Sequence, residues 1–223
     1  MISAMIHSLR QKNNQDITRE DARISTIFDA LLHLPDQLMW EVLRNACHDR
    51  EILPVNLGVL EHYEFWPQWG SNGTENGRYV EPDVFLRFSK ADLIIEAKRS
   101  DYEGQSQRQW KNELIAYQNV YGRTDKTVFL VALGGNGSNL QNQMICLPKH
   151  KRIVVKCSWD NLHAVLVDKR EKLTEDNQRV VDSLLLACSL FGFRSYVWLD
   201  ARSWVSKYAT EIPKDYRNLV FRR

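Results

Sequence analysis

The sequence predicts an α/β fold, a central mixed β-sheet flanked by helices, on three observations. Apolar residues recur first at three- and four-residue spacing, then at a period of two, and afterwards the two regimes alternate. Two expected strands are apolar on both faces near their centres, which suits strands covered on both sides. The 223 residues, 43% hydrophobic and 26% charged, supply the core of one domain with elaborations more readily than two domains.

Each element has its own warrant. Thr18 followed by Asp21 resembles a capping box, and Ile24, Ile27, Phe28, Leu31 and Leu32 mark a helix over 18–33. Pro35-Asp36 opens a second helix to about 48, with Leu38, Val42, Leu43, Ala46 and Cys47 inward. Val59 to Trp66 alternate as an aromatic-rich strand, and 70–77 form a turn-rich loop. Val80–Phe88 and Ala91–Ala97 read as two further strands with a very short connection. A helix fits 104–121, with Gln107, Trp110, Leu114, Tyr117 and Tyr121 along one stripe, and Lys126–Leu133 is another strand. Then come a short strand at 153–157, a helix capped by Ser158, a long helix from Thr174 to Leu190 stopped at Gly192, and a last strand at 195–199.

Composition removes several classes of function. Lys and Arg number 30 against 28 Asp and Glu, a net charge of +2, so any polyanion site must be a local patch. The longest apolar stretch, Leu184–Phe193, is half a membrane span, and Met1–His7 lacks an export signal, so a cytoplasmic protein without membrane association is expected. Cys47, Cys146, Cys157 and Cys188 stand far apart and read as small reduced core residues. No two of the six histidines have ligand spacing. Gly134-Gly-Asn-Gly137 lacks the Gly-Lys-Ser/Thr of a phosphate loop and reads as a turn.

The chemistry concentrates on Pro82-Asp83 and Glu96-Ala97-Lys98. On a strand Asp92, Ile94, Glu96 and Lys98 share one face, and Asp83 lies on the neighbouring strand, so two carboxylates converge. Close carboxylates repel unless a cation neutralises them or one holds a proton. Hard oxygen ligands suit Mg²⁺ or Mn²⁺. Glu20 lies one turn before Ile24, near the apolar stripe of the first helix.

This arrangement resembles the PD-(D/E)XK nuclease superfamily over residues 18–134, with 135–223 as a C-terminal elaboration. The resemblance implies a restriction-endonuclease-like αβββαβ core and a metal-dependent nuclease that hydrolyses phosphodiester bonds, in DNA rather than RNA. It implies Asp83, Glu96, the Ala97 carbonyl and Glu20 as ligands of Mg²⁺ or Mn²⁺, and Lys98 as the residue that positions or deprotonates the attacking water. In the RecB-like branch a Gln precedes a Tyr by four residues on the helix after the E-x-K strand. Here Glu113-Leu-Ile-Ala-Tyr117 places Glu where that branch has Gln, with Gln109 one turn upstream.

Arg99, Arg108, Lys111, Lys149, Lys151 and Arg152, with Arg217, Arg222 and Arg223, are the cations available to phosphates. Trp66, Trp69 and Tyr79 flank the 70–77 loop as candidates for base stacking. No base-reading motif is present, so specificity is expected from self-association or a partner protein. Small nucleases of this type often serve restriction or antiviral defence. The alternative from another class is a module of the same shape that binds nucleic acid or a protein partner without cutting; a third is a nucleotide-binding regulator acting through 134–137.

Overall fold

A computed structural model describes residues 19–102, 104–122, 126–147 and 151–193, without the side chains of Arg19 and Glu20. The strand expected at 195–199, Lys149, Arg217, Arg222 and Arg223 lie outside these residues, as does the Glu20 side chain. The helices are α1 (Arg19–Leu31), α2 (Asp36–Ala46), α3 (Gln107–Tyr121), α4 (Trp159–Arg170) and α5 (Glu175–Leu190). The strands are β1 (Leu60–Phe65), β2 (Trp69–Gly70), β3 (Tyr79–Val80), β4 (Val84–Phe88), β5 (Ala91–Ala97), β6 (Thr127–Leu133), β7 (Gln143–Cys146) and β8 (Lys151–Cys157).

Six strands form one mixed sheet in the order β1-β4-β5-β6-β8-β7. β1, β4 and β5 run antiparallel, β5, β6 and β8 run parallel, and β7 returns antiparallel along the outer side of β8. The expected α/β class with a mixed sheet between helices is what forms. All seven residues of β5 are buried, because its neighbours and a helix layer on each face cover it.

The period of two sorts side chains between two cores. Val84, Leu86, Leu93 and Ile95 point into the larger one, with Phe28, Trp40, Trp159 and Leu184 from the helices α1, α2, α4 and α5. Phe85, Ile94, Leu130 and Val154 point the other way, onto Trp110, Leu114 and Tyr117 of α3. Phe85 packs among Trp69, Tyr117 and Tyr121 with ring centroids 5.0–6.1 Å apart.

Four expectations need correction. Val80–Phe88 is not one strand: Glu81-Pro82-Asp83 separates β3 from β4, and β3 pairs only with β2 in a two-stranded ribbon. Pro82 has no N–H for a ladder and ends the pairing there. β7 was unanticipated; it is a short edge strand with Met144 exposed and only Ile145 buried, so it lacks a readable pattern. Cys146 lies on this strand and is exposed, unlike the buried Cys47, Cys157 and Cys188. Trp66 and Trp69 are buried, so neither offers a face to a base; Tyr79 is exposed. No helix among the described residues is long and apolar enough to cross a membrane.

The packing of α3 on the sheet has a measurable demand. Phe85→Ala should lower unfolding free energy by about 3–5 kcal/mol in urea melts, the usual cost of truncating a fully buried ring. A loss below about 1 kcal/mol would contradict this placement.

Candidate active site

The end of β5 gathers the acidic residues. Glu96 is the penultimate residue of β5 and shares its face with Ile94 and Asp92, the face that α3 covers. Only 1% of Glu96 is exposed, and the Lys98 ammonium is bound to its Oε1. Lys98 Nζ also donates to Gln109 Oε1 at 3.2 Å, so both β5 and α3 fix its position. Asp83 comes from the chain just before β4, and its Oδ2 accepts the Ala97 amide at 2.7 Å. This bond ties the Pro82-Asp83 turn to the Glu96-Ala97-Lys98 segment.

α3 adds a third acid. Glu113 falls on the inward stripe with Trp110, Leu114 and Tyr117, and it too is 1% exposed. Among the described residues neither of its oxygens meets a donor. What it meets is the Glu96 carboxyl, and burial, Glu96 and Asp83 together push the Glu113 carboxyl well above the ordinary range, with Lys98 pulling weakly against them. Two carboxylates have no proton to exchange, so this contact requires either one shared proton or a cation between them. Three carboxyls against one ammonium leave the cluster short of positive charge.

Polar groups behind the cluster fix the backbone. Gln105 Nε2 donates to the Glu96 carbonyl at 2.9 Å and to the Gly134 carbonyl at 3.2 Å, while its Oε1 accepts from Trp110 Nε1 at 2.7 Å. Trp159 Nε1 donates to the Lys98 carbonyl at 2.7 Å, and the Lys98 amide donates to Leu133 at 2.8 Å. Asp101 accepts from the amides of Trp159 and Asp160, which pins the segment after Lys98 to the start of α4. Gly134 and Gly135 have φ of +70° and +63°, and a Cβ on Gly135 would stand 2.7 Å from Lys98 Cγ. Those glycines let the turn press against Lys98. With Asn136 donating to Ala132 and Cys157, 134–137 is a packing turn, as its composition suggested.

Ala97 has a further peculiarity. Its N–H points toward the β4 side, to Asp83, and the carbonyl of a strand residue points the same way as its N–H. Continuing the Val84↔Ile95 pairing sets Pro82 opposite Ala97, and proline has no N–H to give that carbonyl.

The other anticipated residues separate into those near this cluster and those elsewhere. Arg99 follows Lys98 on the surface, its carbonyl bound by Arg23. Arg108 and Lys111 are exposed on α3, Arg108 4.0 Å from Glu75. Tyr117 is not brought to the carboxyls: its hydroxyl donates to Asp92 at 2.8 Å. Asp92 precedes Glu96 by four residues, roughly 13 Å along a strand. Lys151 and Arg152 begin β8, whose parallel register sets Lys156 level with Ala132 and Glu96. They therefore lie roughly 13–17 Å back along the sheet, at its opposite end. Gln105, Gln109 and Asp101 carry no sequence pattern that would single them out, Gln109 excepted as the amide one turn before Glu113.

Among the described residues no three His, Cys, Asp or Glu side chains converge as ready metal ligands, since Asp83 is turned to the Ala97 amide and Glu96 to Lys98. The fold and site define an α/β protein with a buried, charge-deficient carboxyl cluster at the end of a central strand. No family model matches the chain, and no solved structure matches it. An uncharacterized protein of Pasteurella multocida (strain Pm70) is 27% identical over 224 residues, 89% of this chain and 84% of that one.

The raised Glu113 carboxyl sets a pH dependence for the metal-free protein. Its folded state holds the proton more tightly than the unfolded chain does, so this stability is fully present below the unfolded glutamate value of about 4.3 and is lost as pH rises toward the folded one. Glu113→Gln should remove that slope and raise stability at pH 8 by roughly 1–3 kcal/mol, the cost of a buried polar group without a partner. Thermal melts across pH in EDTA check it; a variant no more stable at pH 8 than the wild type would refute it.

Proposed function

We propose that the protein is a metal-dependent phosphodiesterase of the PD-(D/E)XK type with a restriction-endonuclease-like core, acting on nucleic acid. The observation that carries this is the Glu113 carboxyl, buried beside Glu96 and Asp83 with no donor to either oxygen. A strand that bears Glu96 and runs into Lys98, an Asp83 tied to it from the turn before β4, and a following helix that covers this face agree with that reading.

The donor set fits a hard divalent cation such as Mg²⁺ or Mn²⁺: oxygen only, and with more negative charge than Lys98 offsets. Asp83, Glu96, Glu113 and the Ala97 carbonyl would hold it, with Glu20 a further candidate. Such an ion supplies charge stabilisation at the phosphoryl oxygens and a water acidified toward hydroxide. Lys98, clamped between Glu96 and Gln109, presents its ammonium where it orients a water and stabilises negative charge on a phosphate. The burial of Glu96 and Glu113 strengthens the electrostatic interactions they make. Gln105, Trp159 and Asp101 position the backbone that carries Glu96 and Lys98. Arg99, Arg108 and Lys111 serve flanking phosphates, and with a net charge of +2 tight or selective binding calls for a second copy or a partner protein.

The purified protein should cleave labelled DNA or RNA in Mg²⁺ or Mn²⁺ and lose that activity in EDTA. Glu96→Gln and Lys98→Ala should each lower the rate by about 10²-fold or more, the scale of lost general acid–base and electrostatic contributions. Calorimetric titration with Mn²⁺ should show binding that Asp83→Asn or Glu96→Gln abolishes. Carboxylate-independent Mn²⁺ binding, or variants as fast as wild type, would overturn the assignment.

A further inference from the structure

A cavity of about 250 Å³ adjoins the carboxyl cluster, bounded by α3 on one side and the β2–β3 ribbon on the other. Glu113 lines it, with Gln109, Asn76, Glu81 and Ser106, and Arg108 among the lining residues is exposed. The 71–78 loop that joins β2 to β3 is fastened to the helix. Asn112, buried on α3, accepts from the Glu75 amide at 3.2 Å and donates to Asn76 Oδ1 at 3.0 Å. Asn119 donates to the Asn72 carbonyl at 2.7 Å. The loop is thus a fixed wall facing α3, with the donor-less Glu113 in the space beside it.

We propose that this cavity admits a single strand of nucleic acid and that the 71–78 loop excludes the second strand of a duplex. The proposal rests on the phosphodiesterase reading for the direction in which the strand enters, toward Glu96 and Lys98. A cube of the cavity's volume is roughly 6 Å on a side, no wider than the minor groove of a duplex. To bring a backbone phosphate of an intact helix to Glu113, the opposite strand would have to occupy the space the loop fills. One strand meets no such obstacle. Its base edges would find the amide nitrogens of Gln109 and Asn76: the Gln109 oxygen is held by Lys98, and Asn76 Nδ2, which donates to the Tyr79 carbonyl, keeps a second hydrogen for a base. Its phosphates would find Arg108, an exposed side chain whose guanidinium stands 4.0 Å from the exposed Glu75 carboxylate.

The test is fluorescence anisotropy with a labelled strand of about 12 nucleotides, free or annealed to its complement, in Ca²⁺ at about 0.15 M salt. Wild type should bind the free strand about tenfold more tightly than the duplex, a preference that stacking and groove contacts to one strand can supply. Asn112→Ala, which unfastens the loop, should shrink that preference several-fold by improving duplex binding. Asn76→Trp should obstruct the cavity and weaken binding of the single strand. Arg108→Glu, on an exposed side chain that folding does not need, should weaken single-strand binding about tenfold as well. Equal or tighter binding of the duplex by wild type, no binding of either form, or no effect of Arg108→Glu would each overturn the proposal. Cleavage of both forms in Mg²⁺ and Mn²⁺ is followed in parallel. Strand-selective binding with no cleavage removes the phosphodiesterase reading and keeps this one; duplex-preferring binding with cleavage does the reverse.

Discussion

Two buried carboxyl groups and a half-buried third, gathered at the end of one strand around the Lys98 ammonium, are the constraint that the rest of this structure accommodates. Asp83, Glu96 and Glu113 arrive from three separate stretches of the chain, and the Lys98 ammonium is bound among them at Glu96. Like charges held together in a poorly polarisable interior raise the energy of the folded state unless the surrounding structure is stiff enough to hold them. The stiffness is visible in the backbone. Gln105, Trp159 and Asp101 each bind main-chain groups around the Glu96–Lys98 segment, and the Gly134–Gly137 turn packs directly on Lys98.

The same strand shows how a buried acid looks when its charge is met. Asp92, fully buried near the start of β5, accepts from Tyr117 and lies 3.8 Å from Arg87, its cross-strand partner, and 4.0 Å from Lys126. Burial pushes its carboxyl up, while the Tyr117 hydroxyl, Arg87 and Lys126 draw it back down. One face of one strand therefore holds, near one end, an acid met by a hydroxyl and two cations and, at the other, an acid bound to Lys98 that also lies against the buried Glu113 carboxyl of α3. Folds tolerate such an imbalance most readily where a ligand will complete it.

Much of this was legible before any coordinates. The switch of period located α1, α2, β1 and β5 because each buries one stripe or both faces of a regular element, and register follows from that burial. The pairing of Asp83 with the Glu96–Lys98 segment was legible too, since two adjacent strands leave little choice of neighbour. What the sequence concealed were features set by tertiary contact alone. β7 gains its structure from β8, and its own four residues have no apolar rhythm. Pro82 cut an apparently continuous strand in two, a backbone effect that side-chain hydropathy does not register. Tyr117 sits on the expected helix face, yet a shift of one helical turn decides whether a side chain reaches Asp92 or Glu96. The placement of Lys151 and Arg152 depended on knowing that β8 runs parallel to β5.

The two margins of the sheet have consequences for how the molecule behaves in company. An open strand edge is a template on which another chain can extend the sheet, and proteins that remain dispersed must blunt it. β1, at one margin, exposes Glu61, His62 and Tyr63, with Glu64 half-buried beside them. Lys126 is drawn to Glu61, so charge of both signs lies along that border. β7, at the other, offers only four residues before the chain turns away. Edge-to-edge pairing at these two margins is thus discouraged by ionic side chains on one flank and by brevity on the other.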